Sequence, residues 1–171
     1  MDRRELRAIQ APLKARYRED AQAALFTLRA QGRLGEGVTC KIDTRDALAV
    51  AGLHPATGGD GTALCSGDML LEALVACAGV TMNAVASALG VDLRDASVEA
   101  EGDLDFRGTL GVAKEAPVGL QRIRLRFVVD TDASDEELAT LLRLTERYCV
   151  VYQTLARPAS LSATCKRSGA A

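Results

Sequence analysis

The chain has 171 residues, 48% hydrophobic and 26% charged, a balance that fits one globular domain over residues 1–171 and excludes a disordered polymer, a collagen-like fibre and a coiled-coil rod. Twenty-one Lys and Arg against 23 Asp and Glu leave a net charge of −2, which gives no global pull toward nucleic acid or anionic lipid. With no Trp and 4% aromatics, the core must come from Leu, Val, Ile and Ala, and platforms for stacking single-stranded nucleic acid are poor.

Residues 1–20 are dense in interleaved charge and read as a solvated arm or edge segment. They contain no apolar core of a secretory signal, and no uncharged run of about 18 apolar residues follows, so neither export nor a membrane span is expected. Residues 23–31 and 37–43 read as strands joined by the Gly-rich GRLGEG, and residues 46–51 extend the sheet. From His54 to Asp68 the glycines and Pro55 mark a loop. Its glycines match neither the P-loop nor the dinucleotide fingerprint, because no Gly-Lys-Ser/Thr follows. Residues 68–89 form the clearest helix, apolar around most of its circumference and interrupted only by Glu72 and Asn83. Such a helix is expected to be buried on several sides, with Ser66 or Asp68 as its cap and Gly90 at its end.

Residues 96–108 and 120–130 alternate and predict a long antiparallel hairpin, with Ile123, Leu125 and Phe127 inward and Arg122, Arg124 and Arg126 on the wet face. Ser134 to Glu137 is a capping box that opens a helix to about Tyr148. Residues 149–156 continue as a short helix, and residues 160–166 close the chain as a strand. Hairpins rather than alternating βαβ units give an α+β class.

Five cysteines, Cys40, Cys65, Cys77, Cys149 and Cys165, contain no CxxC pair, and the single histidine is His54. That spacing argues against a zinc site, and the odd count without a signal points to reduced thiols in a cytoplasmic protein. Cys77 in the apolar helix is either a small core residue or a reactive thiol. Cys149 sits where two helices join, so the positive end of the second could lower its pKa. Cys40 and Cys165 fall in strand patterns and read as packing, and Cys65 as a loop thiol.

At these two positions the sequence resembles the OsmC/Ohr family of thiol peroxidases. LLEALVACAGVTMNAVASALGV resembles the family's central-helix cysteine motif, and ERYCVVYQTL occupies the place of its second. GDLDFRGTLGV and PVGLQRIRLRFVVDTDA resemble its central hairpin, so the likeness covers residues 23–166. The resemblance implies an intertwined homodimer, with antiparallel sheets wrapped around central helices and active sites at the subunit interface. It implies a peroxidase of the oxidative and osmotic stress response that reduces organic hydroperoxides. Cys77 would be the peroxidatic thiol and Cys149 the resolving one, and a dithiol reductant such as a lipoyl protein would reopen the disulfide. No metal, flavin or haem is implied. In the family an arginine, held by a glutamate at the start of the cysteine helix, activates the first thiol. Gly67 stands at that glutamate's place, so Asp68 or Glu72 would substitute. Arg45 is the candidate arginine, with Arg33 and Arg147 as rivals. His54 would pass a proton to the leaving alkoxide or else bind its own backbone. Tyr148 and Tyr152 would line an apolar pocket or simply pack. The alternative is a ligand-binding or redox-sensing protein of the same fold that lacks the activating pair.

Overall fold

The computed structural model describes residues 49–111 and 113–168, the backbone of residues 32–34, 39–43 and 48, and the isolated helical positions Arg4, Ala8 and Glu19. The expected strand over 23–31 and most of the charged N-terminal segment lie outside the described residues. Strands β1 (Gly32–Leu34), β2 (Thr39–Asp43), β3 (Leu48–Gly52) and β4 (Leu64–Cys65) form one sheet in that order, antiparallel except for the β3–β4 pair. Gly32–Leu34, expected as loop, is paired because Gly32 lies opposite Ile42 and Leu34 opposite Cys40. Pairing with β2 outweighs the weak strand preference of glycine.

β4 runs straight into helix α1 (Ser66–Leu89), so Cys65, not Ser66 or Asp68, is the N-cap, and it makes no side-chain cap bond. Gly90 ends the helix at φ 78°, a conformation that a side chain would strain. By length and composition α1 is long and apolar enough to cross a bilayer, which corrects the expectation that no segment reaches that threshold. In the fold it is the central packing element. Leu74, Ala78, Met82, Val85 and Ala86 form one buried stripe at spacings near 3.6 residues. The expectation of burial on several sides is not met within this chain, since Leu70, Leu89 and Val80 are exposed, Val80 by 73%.

Strands β5 (Asp95–Asp103) and β6 (Arg122–Asp130) form the hairpin in full register, from Asp95 opposite Asp130 to Asp103 opposite Arg122. Val98, Ala100, Ile123, Leu125 and Phe127 pack on the core. At Gly102 a Cβ would stand 2.9 Å from Leu120 and 3.3 Å from Leu71, so glycine admits the helix here. The arginine row is a wet face: Arg124 pairs with Glu101 and Asp103 at 2.9 and 2.6 Å. The strand expected to reach residue 108 stops at Asp103, because Asp105 caps a helical turn at Phe106–Thr109.

Helix α2 (Asp135–Tyr148) opens with the expected capping box, in which Ser134 accepts from the Glu137 amide and the Glu137 carboxylate accepts from the Ser134 amide. Helix α3 (Val150–Ala156) follows after a one-residue break at Cys149. Residues 158–168 form no strand and are exposed, Leu161 by 95%, contrary to the expected strand over 160–166. A strand exists through its ladder, and among the described residues this segment has no neighbouring strand.

Candidate active site

Cys77 lies midway along α1, and Cys149 lies at the α2–α3 break. Packing of both short helices against α1 brings them together. Cys149 is 1% exposed in a cluster with Leu74 and Ala78, and Cys77 packs on that cluster while staying half-buried. The break is built by the backbone of Cys149, whose φ −72° and ψ 110° are extended, not helical. Its amide still donates to the Thr145 carbonyl at 2.9 Å, and its own carbonyl accepts from Gln153 N–H at 2.9 Å. The amides between them lose their helical partners. Tyr152 N–H donates to Cys149 Sγ at 3.4 Å, and the amides of Val150 and Val151 favour a negative charge on the Cys77 sulfur.

Two opposite pKa shifts follow. Burial works against a Cys77 thiolate, but the Val151 amide, the Cys149 thiol and the Val150 amide together outweigh it and hold the Cys77 pKa below the ordinary thiol value. Thr81 adds least: its single hydroxyl proton is engaged with the Cys77 carbonyl at 2.7 Å. Burial pushes Cys149 up, helped by the neighbouring Cys77 charge and opposed by the Tyr152 amide. The arrangement therefore makes Cys77 the readier of the two to ionise and Cys149 the readier to keep its proton, a nucleophile with a second sulfur packed beside it.

The acids expected to serve Cys77 stand elsewhere. Asp68 and Glu72 line a hollow of about 370 Å³ with Leu71, Val75, Ala76 and Ala100. At 3.6 residues per turn they lie about 180° and 140° around α1 from Cys77. Neither is among the groups acting on the Cys77 thiol. Arg45 lies outside the described residues, as does the side chain of Arg33. Arg147 stacks its guanidinium over the Tyr148 ring, 5.6 Å from the centroid, rather than on a sulfur. His54 caps its own turn: Nδ1 accepts from the Ala56 amide at 3.0 Å, and the ring stacks on Phe106 at 4.9 Å. Tyr148 is exposed. Tyr152 packs on the Cys149 cluster and lines a groove of about 750 Å³ with Leu74, Phe127, Leu141 and Leu155. Among the described residues no cluster of three His, Cys, Asp or Glu could hold a metal ion.

Sequence reasoning missed the amides of Val150 and Val151, which carry no side-chain signal. It also missed Glu146 and Gln153, which tie the break. Gln153 Nε2 donates to the Glu146 carbonyl at 2.8 Å.

Residues 59–164 match the family model of OsmC-like proteins. No curated protein matches the chain closely enough to mark a relative. Among solved structures, the fold is similar to an OsmC-like protein from Mycoplasma pneumoniae, with TM-score 0.65, 18% identity, and coverage of 78% of this chain and 89% of that one. It is also similar to an organic hydroperoxide resistance protein OsmC from Legionella pneumophila, with TM-score 0.60, 20% identity and coverage of 78% and 91%. A third is an organic hydroperoxide resistance protein from Elizabethkingia anophelis, with TM-score 0.62, 16% identity and coverage of 78% and 90%.

Proposed function

The chain belongs to the OsmC-like protein family, and from that premise we propose that it is a thiol peroxidase that reduces organic hydroperoxides with Cys77 and Cys149. The observation that carries this reading is the packing together of two thiols with opposite shifts, Cys77 pushed down and Cys149 pushed up. The Cys77 thiolate attacks the distal oxygen of the hydroperoxide. An S–O bond forms, the O–O bond breaks, and two electrons pass from sulfur to peroxide. The alkoxide leaves and takes the Cys149 proton to become an alcohol. Cys149, now a thiolate, attacks the Cys77 sulfenic acid. An S–S bond forms, and hydroxide leaves to be protonated by solvent. A dithiol reductant, of which a lipoyl protein is the type, then opens the disulfide by two exchanges and becomes a disulfide itself.

The surroundings suit an alkyl substrate. Leu70, Ala73 and Val80 share the Cys77 face of α1 and are exposed in the single chain. A second copy of the chain, covering that face, would enclose the reacting pair in an apolar crevice, so the active form is a homodimer. Light scattering on the purified protein tests the dimer. The need for reduced thiols fits a cytoplasmic location, which fractionation tests.

Stopped-flow consumption of cumene hydroperoxide, with and without a dithiol, tests the enzyme reading. Repeated turnover that is lost in Cys77→Ser supports it, and equal rates for wild type and Cys77→Ser overturn it. The placement of Asp68 and Glu72 across the helix from Cys77 favours a second reading, a redox-sensing or ligand-binding protein. Under that reading the protein consumes one hydroperoxide per chain and does not turn over with any dithiol.

A further inference from the structure

We propose that Gln153 is a positioning residue for Cys77: by occupying the Glu146 carbonyl it keeps the chain broken at Cys149 and leaves the Val150 and Val151 amides free to face the sulfur. The proposal deepens the role given above to the Cys77 thiolate and rests on it.

If α2 and α3 were one helix, the Glu146 carbonyl would accept from Val150 N–H and the Arg147 carbonyl from Val151 N–H, four residues on. Those two amides have no backbone partner across the break and are the ones that favour charge on Cys77 instead. The broken and continuous forms therefore compete for the same donors. Each form leaves something unsatisfied unless another group intervenes.

Gln153 is that group. Its Nε2 donates to the Glu146 carbonyl at 2.8 Å in a part-buried setting. In a continuous helix the two residues would be separated by a rise of about 10.5 Å, beyond the reach of a glutamine side chain to a backbone oxygen. The bond thus exists only when the chain turns at Cys149. Thr145 holds the last full turn of α2 through its hydroxyl bond to the Leu141 carbonyl at 2.8 Å. The break falls where it does because the Cys149 amide keeps its Thr145 partner and the Gln153 amide keeps its Cys149 partner. Only the three amides between them, Val150, Val151 and Tyr152, are released to the two sulfurs.

The test uses the full-length chain and reads the pH profile of Cys77 alkylation by iodoacetamide, with the labelled peptide identified by mass spectrometry. Gln153→Met keeps the length of the side chain and removes the donors. We expect the midpoint of the profile to rise by about one unit, which is roughly tenfold less thiolate at neutral pH, with the limiting rate at high pH unchanged. An unchanged midpoint in a folded Gln153→Met protein overturns the proposal. A second variant covers poor folding of the first. Cys149 already has the φ and ψ that a following proline requires, and proline is favoured at the first helical position. Val150→Pro therefore enforces the break without Gln153; it gives up the Val150 donor, the weaker of the two, and keeps the Val151 amide. In that background Gln153→Met should move the midpoint less than a tenth as much in thiolate fraction as in wild type. The full tenfold change there overturns the proposal. No hydroperoxide enters the measurement, so absence of turnover by the wild type would sink the peroxidase reading and leave this one to be judged separately.

Discussion

Two apolar clusters lie along one face of α1 and are built of the same material. One gathers Met82, Val85, Ala86 and Leu141 with Phe127 and Val129 around them, and the other gathers Leu74, Ala78 and Cys149 with Phe127 and Leu125. In the first, α2 arrives as an unbroken helix, and around Leu141 the backbone amides are spent on its own ladder. In the second, the chain breaks at Cys149, and three amides are left over for sulfur. Composition does not separate the two clusters. The spare donors do, because a thiolate in an apolar site survives only where hydrogen bonds offset its lost hydration.

The largest test of this contrast is removal of the thiol. Cys77→Ser should reduce cumene hydroperoxide consumption to the uncatalysed background, measured by stopped flow, while leaving the thermal unfolding curve nearly unmoved. The converse change belongs to the other cluster. Leu141→Ala should cost about 2–5 kcal/mol in denaturant unfolding, since it empties a fully buried position. The Cys77 alkylation midpoint of its folded fraction should stay at the wild-type value. A joint change in both observables would erase the distinction between the clusters.

The pH response sharpens it further. Because the Cys77 pKa is held down, its thiolate, and with it the alkylation rate, should be lost at a pH below the free-thiol value of about 8.5. Cys149→Ala removes the thiol that donates to Cys77 and should shift that loss to higher pH, measured by the same rate profile. The same variant should still consume one equivalent of hydroperoxide and then stop, because nothing resolves the sulfenic acid. Smaller effects are expected away from the thiols. Ser134→Ala removes the cap of α2 and should cost about 1 kcal/mol by denaturant unfolding. Arg124→Gln on the wet face of the hairpin should change stability least, within the scatter of repeated melting curves, although its pairs with Glu101 and Asp103 are short.

Much of the architecture was legible because its signals are local. The alternation of Ile123, Leu125 and Phe127 with three arginines specifies a strand with one wet face. Ser134 and Glu137 specify a helix start, and Gly90 a helix end. The phase of Asp68 and Glu72 was legible too, since residue spacing alone sets them on the far side of α1 from Cys77. Their assignment to Cys77 came from family position and disregarded that phase. Non-local pairing was not legible. Gly32–Leu34 is a strand only because β2 lies beside it, and residues 160–166 alternate like a strand yet have no partner strand among the described residues.

By itself the amino-acid order determined where chemistry could reside, because thiols and apolar runs are properties of residues and of their spacing. Only the tertiary structure decided which sulfur ionises more readily and by what. That depends on backbone amides, which every residue carries and no sequence pattern distinguishes. Their direction is set by a single extended residue at a helix break, and that break is held by a side chain four positions further on.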